Sequence, residues 1–96
     1  MYALIGRVKI KPGREEEAFS LIRERGGELV RGMAGSRGGY WARTVDGGEL
    51  IQHSFWLFDD EENARAAEAT FGTLRDMPEA PATFVSVDVC EVLGEA

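Results

Sequence analysis

The sequence is poor in the residues that build disulfides, metal sites and acid–base catalysis. Its 96 residues include one cysteine and one histidine. A single cysteine excludes an internal disulfide and a metal site built from cysteines. Lysine and arginine number 11 against 17 acidic residues, which gives a net charge of −6. This charge argues against nucleic acid as a partner, because phosphate binding rests on clustered basic side chains, and it also disfavours an anionic membrane surface.

Long hydrophobic runs and familiar catalytic motifs are also lacking. No apolar run approaches membrane-spanning length, and no charged-then-apolar leader precedes Tyr2. No serine lies in a Gly-x-Ser-x-Gly elbow, so a hydrolase has little support. The glycine-rich segment 32–39 lacks the Gly-Lys-Ser/Thr ending of a phosphate-binding loop. We therefore expect a cytoplasmic protein that binds neither membranes nor nucleic acid.

The clearest structural signal is a change from strand to helix near residue 12. Apolar residues alternate from Tyr2 to Ile10, as in a half-buried strand. Pro12 cannot donate to a continuing sheet ladder, and Gly13 permits a turn. The glutamates of 15–17 then suit the first turn of a helix, which the spacing of apolar residues extends to about Met33.

The rest of the chain predicts three more strands and a second helix. Asp46-Gly47-Gly48 is typical of a tight hairpin turn, and Asp59 is predicted to cap the second helix. The predicted strands are 40–45, 50–58 and 82–93. The order βαββαβ predicts a single α+β domain over residues 1–96 with the ferredoxin-like arrangement, a four-stranded antiparallel sheet with both helices on one face.

The apolar residues on the sheet face away from the helices predict that this face packs against another protein surface. Ile51, Phe55 and Leu57 point to one side of the third strand, whereas Trp56 and Phe58 point to the other. Helices can cover only one of these sides, and a large exposed apolar patch usually marks an interface. A homodimer that packs through the sheet faces is the simplest solution.

Three segments resemble the antibiotic biosynthesis monooxygenase family of the dimeric α/β-barrel superfamily. The stretch 8–19, Val-Lys-Ile-Lys-Pro-Gly-Arg-Glu-Glu-Glu-Ala-Phe, resembles that family's first strand-to-helix junction. Gly39-Tyr40 before the hairpin and the stretch 58–64, Phe-Asp-Asp-Glu-Glu-Asn-Ala, resemble its central strands and second-helix entry. The resemblance implies sheet-to-sheet dimers and a pocket between sheet and helices. It also implies an activity, the oxidation of aromatic or quinol-type molecules by O₂ without a cofactor.

The chain departs from the family at three positions. The tryptophan common at the end of the third strand falls on Phe58, and the histidine frequent on the second helix falls near Ala67. The haem-degrading branch needs an asparagine where this chain has Gly6. Haem degradation is therefore disfavoured, and a non-catalytic ligand-binding dimer or a related isomerase stays open beside the monooxygenase.

Five residues form the candidate substrate site. A two-residue hairpin loop places these five residues on one face of the second and third strands. In the family that the chain resembles, the residue at the position of Phe58 faces the pocket, which implies that the same face is directed to the helices. Arg43 is expected to stabilise an anion, and the others to form walls or orient an oxygen. The alternative is a packed core with Arg43 reaching solvent. The five residues are Trp41, Arg43, Gln52, Ser54 and Trp56.

His53 is the alternative site residue, and it is predicted on the opposite face. As the only histidine it is the obvious general base near neutral pH, yet a structural hydrogen-bonded role is the more common one for such a residue. The acidic run 59–62 is explained by its position at a helix start. No metal and no cofactor are expected.

Overall fold

The computed structural model describes residues 1–96 and confirms the α+β fold. The sheet has the order β2-β3-β1-β4, and every neighbouring pair is antiparallel. The helices cover one face of it. The strands are β1 Tyr2–Ile10, β2 Ser36–Asp46, β3 Glu49–Phe58 and β4 Ala82–Glu91, and the helices are α1 Glu15–Leu21, α2 Gly27–Arg31 and α3 Glu61–Gly72.

The hairpin between β2 and β3 has the predicted two-residue loop. Asp46 pairs with Glu49, and the intervening Gly47 and Gly48 have φ angles of 58° and 83°. Positive φ at both central residues is the requirement of the tight turn that matches strand twist, and glycine meets it without steric cost. This turn fixes the register in which Trp41 lies opposite Ser54.

The first helix is interrupted where the sequence has two consecutive glycines. A π-helical segment, Ile22–Gly26, joins α1 to α2, and the helix ends at Arg31 rather than at Met33. A π-helical turn is wider than an α-helical one and is frequent at functional sites. The interruption therefore changes the direction of side chains above the sheet.

Other boundaries also differ from the prediction, and those of β2 and β3 at the hairpin differ by one residue each. β2 begins at Ser36 because an irregularity between Ser36 and Gly39 carries the glycine-rich segment into the sheet. β4 ends at Glu91. The N-cap of α3 is Asp60, whose carboxylate accepts a hydrogen bond from the backbone N–H of Asn63 at 2.9 Å, so the prediction of Asp59 was wrong by one residue.

The core lies between the sheet and the helices. Its fully buried members include Leu4, Val30 and Phe58, with Phe71 of α3 packed on β1. A Cβ on Gly6 would collide with the Phe71 ring, so glycine is what lets this ring rest on the strand. No helix is long and apolar enough to cross a membrane.

Candidate functional site

A cavity of about 400 Å³ lies between the sheet and the helices. Its volume is within the range typical of small-molecule sites. Residues of all four strands line it on the sheet side, and the two ends of the first helix, the π-helical segment between them, α3 and the segment before β4 line the other sides. Four of the five predicted site residues line it, namely Trp41, Gln52, Ser54 and Trp56.

Aromatic rings form the walls of this main cavity. The rings of Trp41 and Trp56 have centroids 6.4 Å apart at an interplanar angle of 67°. Phe71 continues the row, 5.6 Å from Trp56 at 76°. Edge-to-face contacts of this kind hold each ring in one orientation. The cavity is therefore a largely apolar space with fixed flat walls, which suits a flat aromatic molecule.

Two buried polar atoms at the main cavity have no hydrogen-bond partner. They are Oε1 of Gln52 and Nε1 of Trp56, an acceptor and a donor on side chains that line the cavity. Trp56 is only 6% exposed. A buried polar group without a partner costs about 1–3 kcal/mol. A ligand with an oxygen and a hydroxyl could supply both partners after small side-chain rotations.

The π-helical segment places a glycine and an arginine beside the main cavity. A Cβ on Gly26 would lie 3.2 Å from Cζ2 of Trp41, so the helix backbone packs closely on the indole. Arg25 also lines the cavity, and no carboxylate lies within ion-pair distance of it. It is the only lining residue with an ionisable side chain. The main cavity thus offers one cation and no carboxylate, histidine or tyrosine.

Arg43 lies at a neighbouring cavity rather than at the main one. This second cavity has a volume of about 230 Å³. The guanidinium carbon of Arg43 lies 4.9 Å from the centroid of the Phe19 ring. Ile22, Trp41 and Gln52 line both cavities and therefore separate them.

His53 lies on the other face of the sheet, as predicted. Its Nε2 shares a hydrogen bond of 2.9 Å with Oγ1 of Thr44, and its ring stacks on Phe55 with centroids 6.5 Å apart. Arg7 is its cross-strand neighbour on β1. Tyr40, on the same face, is 73% exposed. We call this the outer face, and it is separated from both cavities by the sheet itself.

Comparison with known proteins gives matches to solved structures. No family model and no curated protein matches the sequence. A monooxygenase from the gene ActVA-Orf6 of Streptomyces coelicolor, in complex with the ligand nanaomycin D, matches with a TM-score of 0.60 and 13% identity, over 99% of this chain and 89% of that one. The predicted resemblance is confirmed for the fold.

Two further solved structures share this fold. An EthD family protein from Bacillus halodurans has a TM-score of 0.58 and 14% identity, over 97% of this chain and all of that one. Rv0793 from Mycobacterium tuberculosis has a TM-score of 0.53 and 22% identity, over 99% of this chain and 97% of that one. At these identities the likeness concerns the architecture, and the chemistry has to be argued from this chain's own residues.

The sequence did not indicate all of the residues at the main cavity. Arg25 was not predicted, although its position directly before the Gly26-Gly27 pair was a usable signal, because glycines in a helix often mark a close approach or a break. Met77, Ala80 and Pro81 close one end of the cavity from the loop before β4. Nothing in their residue types indicated that role. No group of three or more His, Cys, Asp or Glu side chains is placed to hold a metal ion.

Proposed function

We propose that this protein is a homodimer related to the antibiotic biosynthesis monooxygenases and oxidises an aromatic or quinol-type small molecule with O₂. The observation that carries the proposal is the pair of unpartnered buried polar atoms, on Gln52 and Trp56, at an apolar cavity walled by two indoles. These atoms match the hydroxyl and carbonyl oxygens of a flat phenolic ring system. The shared fold of a monooxygenase holding nanaomycin D supports the same class of ligand.

The proposed reaction uses the acidity of the substrate itself. A CH₂ group conjugated to a phenol or ketone loses a proton, and the resulting delocalised carbanion reduces O₂ and forms a C–O bond as a hydroperoxide. Loss of water then leaves a carbonyl, so one oxygen atom stays on the product and the other leaves as water. A hydrogen bond from Trp56 Nε1–H, with the charge of Arg25, would stabilise the anion, and Oε1 of Gln52 would accept a hydrogen bond from a hydroxyl of the substrate.

A non-catalytic ligand-binding dimer is the second candidate. The observation that favours it is the lack of a general base, since Arg25 is the only ionisable residue at the main cavity and a guanidinium does not give up its proton in proteins. The same lack counts against an isomerase, which must move protons within its substrate. A catalytic role therefore requires a substrate acidic enough to ionise with water as the proton acceptor.

The dimer is proposed through the outer face of the sheet. Ile51, Phe55 and Leu57 leave partly exposed apolar surface there, together with Tyr40. An exposed apolar sheet face of this kind is characteristic of an interface, and a second copy can cover it with twofold symmetry. A cytoplasmic location stays a prediction of the composition.

Oxygen uptake by the purified protein tests the activity. The substrates are an anthrone, a naphthoquinol and a catechol, each compared with its rate of autoxidation. We expect uptake with at least one of them, lost in Trp56→Phe and Gln52→Leu and retained in His53→Gln, whose side chain lies on the outer face. Tryptophan fluorescence quenching without uptake would favour the binding protein, and proton exchange without uptake would identify an isomerase.

A further inference from the structure

The two cavities together suggest a site with two unlike halves. The main cavity is largely apolar, whereas the second is lined by Arg23 and Arg43 and by no carboxylate. Trp41 and Gln52 lie between them. A molecule that passes this partition would meet flat apolar walls at one end and guanidinium groups at the other.

The second cavity has two basic side chains, Arg23 and Arg43, among its lining residues. The protein carries a net charge of −6, and six of its basic side chains lie within ion-pair distance of a carboxylate. Arg43 is not one of them. Arg23 forms an ion pair with Glu16 at 3.4 Å, with both side chains well exposed, and its guanidinium also donates to Oγ of Ser20 at 3.4 Å. Arg43 therefore keeps its capacity to bind an anion from outside the chain.

Arg43 is an exposed residue, and one aromatic contact orients its guanidinium. Its guanidinium lies over the face of the Phe19 ring, with the guanidinium carbon 4.9 Å from the centroid. A cation over an aromatic face is attracted by the ring quadrupole and keeps its hydrogen-bond donors free at the edge of the guanidinium plane. A group held in this way loses less conformational entropy when it binds a carboxylate.

We propose that the second cavity recognises an acidic substituent, a carboxylate, on the aromatic molecule whose ring system occupies the main cavity. Arg43 binds the carboxylate, Arg23 adds positive charge, and Trp41 with Gln52 contacts the ligand at the boundary between the two cavities. The inference rests on the proposed function, because it assigns the ligand's second end. It makes the expected ligand an aromatic acid rather than a neutral aromatic.

Two probes that differ only in charge test this assignment. Anthraquinone-2-carboxylate and anthraquinone-2-carboxamide are titrated against the full chain, with quenching of tryptophan fluorescence as the readout. The chain has two tryptophans, and both line the main cavity. We expect the carboxylate to bind about three to ten times more tightly than the amide, a preference that shrinks at high salt.

Variants then locate the carboxylate. Arg43→Gln is expected to weaken binding of the carboxylate about threefold to tenfold and to leave amide binding unchanged, while Arg43→Lys keeps part of the preference. The matched control is Arg31→Gln, because Arg31 also lacks an ion pair and lines neither cavity. This variant should bind both probes as the native chain does.

The outcomes separate this inference from the proposed function. Equal binding of both probes by the native chain would overturn the acid-binding role and leave the aromatic site intact. A preference lost in Arg25→Gln but kept in Arg43→Gln would also overturn it, because the carboxylate would then lie in the main cavity. Quenching by neither probe would overturn the acid-binding role and the aromatic site together.

Discussion

Gly6 is the position at which a single methyl group should disturb both the core and the main cavity. An added Cβ would lie 2.6 and 2.8 Å from Cε2 and Cε1 of the Phe71 ring and closer still to its Cζ. Carbon atoms normally approach to about 3.5–4.0 Å. The ring would have to move by roughly 1 Å, yet it packs edge-to-face against Trp56 at 5.6 Å and Phe84 at 6.0 Å. Gly6→Ala therefore forces a rearrangement of the aromatic row.

The expected loss of stability in Gly6→Ala is the difference between two opposing effects. Overpacking of a core destabilises a protein by about 1–3 kcal/mol, whereas alanine in place of glycine in a strand stabilises it by roughly 0.5–1 kcal/mol, because the unfolded chain has less conformational entropy. The net destabilisation is about 1–2 kcal/mol, which corresponds to a Tm lower by roughly 5–15 °C for a domain of this size. Thermal and urea unfolding at one fixed protein concentration measure it, because a dimer makes Tm depend on concentration.

A second glycine supplies the control. Gly72 has a φ of −63°, and the nearest atom to an added Cβ is Nη1 of Arg75 at 3.6 Å. Gly72→Ala should be neutral or stabilising by about 0.4–1 kcal/mol. In a Phe71→Leu background, Gly6→Ala should destabilise the protein much less than it does in the native chain. The changes in unfolding free energy of the two substitutions should therefore be non-additive. Native stability in Gly6→Ala would refute the close packing of Phe71 on β1.

Two other changes test the helix cap and the dimer. Asp60→Ala removes the acceptor for the Asn63 N–H and should lower the free energy of unfolding by about 1 kcal/mol, measured by thermal unfolding. Asp59→Ala loses only an exposed ion pair with Arg37, so its stability should fall by less than half as much. Equal losses of stability in the two variants would contradict the assignment of Asp60 as the N-cap. Phe55→Glu places a charge on the outer face and should weaken the dimer at least about a hundredfold by analytical ultracentrifugation. A Leu93→Glu control, at a side chain 94% exposed, should leave the dimer unchanged, and a dimeric Phe55→Glu would exclude the outer face as the interface.

Much of the fold could be predicted because local signals agreed with tertiary structure. Pro12 and Gly13 end β1 where the alternation of apolar residues ends, and the predicted bounds Tyr2–Ile10 are confirmed. The Gly47-Gly48 turn admits one loop length, so the register of β2 on β3 followed from it. That register placed Trp41 and His53 on opposite faces of the sheet, and the family resemblance indicated which of the two faces the helices cover.

The rest depended on long-range packing that no local pattern records. The π-helical segment lies against Trp41 at Gly26, and it includes Arg25, which lines the main cavity. The strand and the sheet face of Arg43 were predicted, but its position at the second cavity rather than at the main one was not. The loop before β4 is positioned by hydrogen bonds from the β1–α1 junction, including Lys11 N–H to Pro81 O at 2.9 Å. A contact between residues 70 apart in sequence cannot be predicted from the residue pattern of either segment alone.

The distribution of unfavourable features around the main cavity favours ligand binding as the reason for them. Two buried polar atoms without partners cost about 1–3 kcal/mol each, and a glycine within a helix costs roughly 0.5–1 kcal/mol relative to alanine. These costs meet at one place, on Gln52, Trp56 and Gly26, all of which line the main cavity. A core under selection for stability alone would fill the space with apolar side chains and pair or remove the polar atoms. Because a bound molecule can offset these costs, their concentration at one cavity is better explained by binding than by packing.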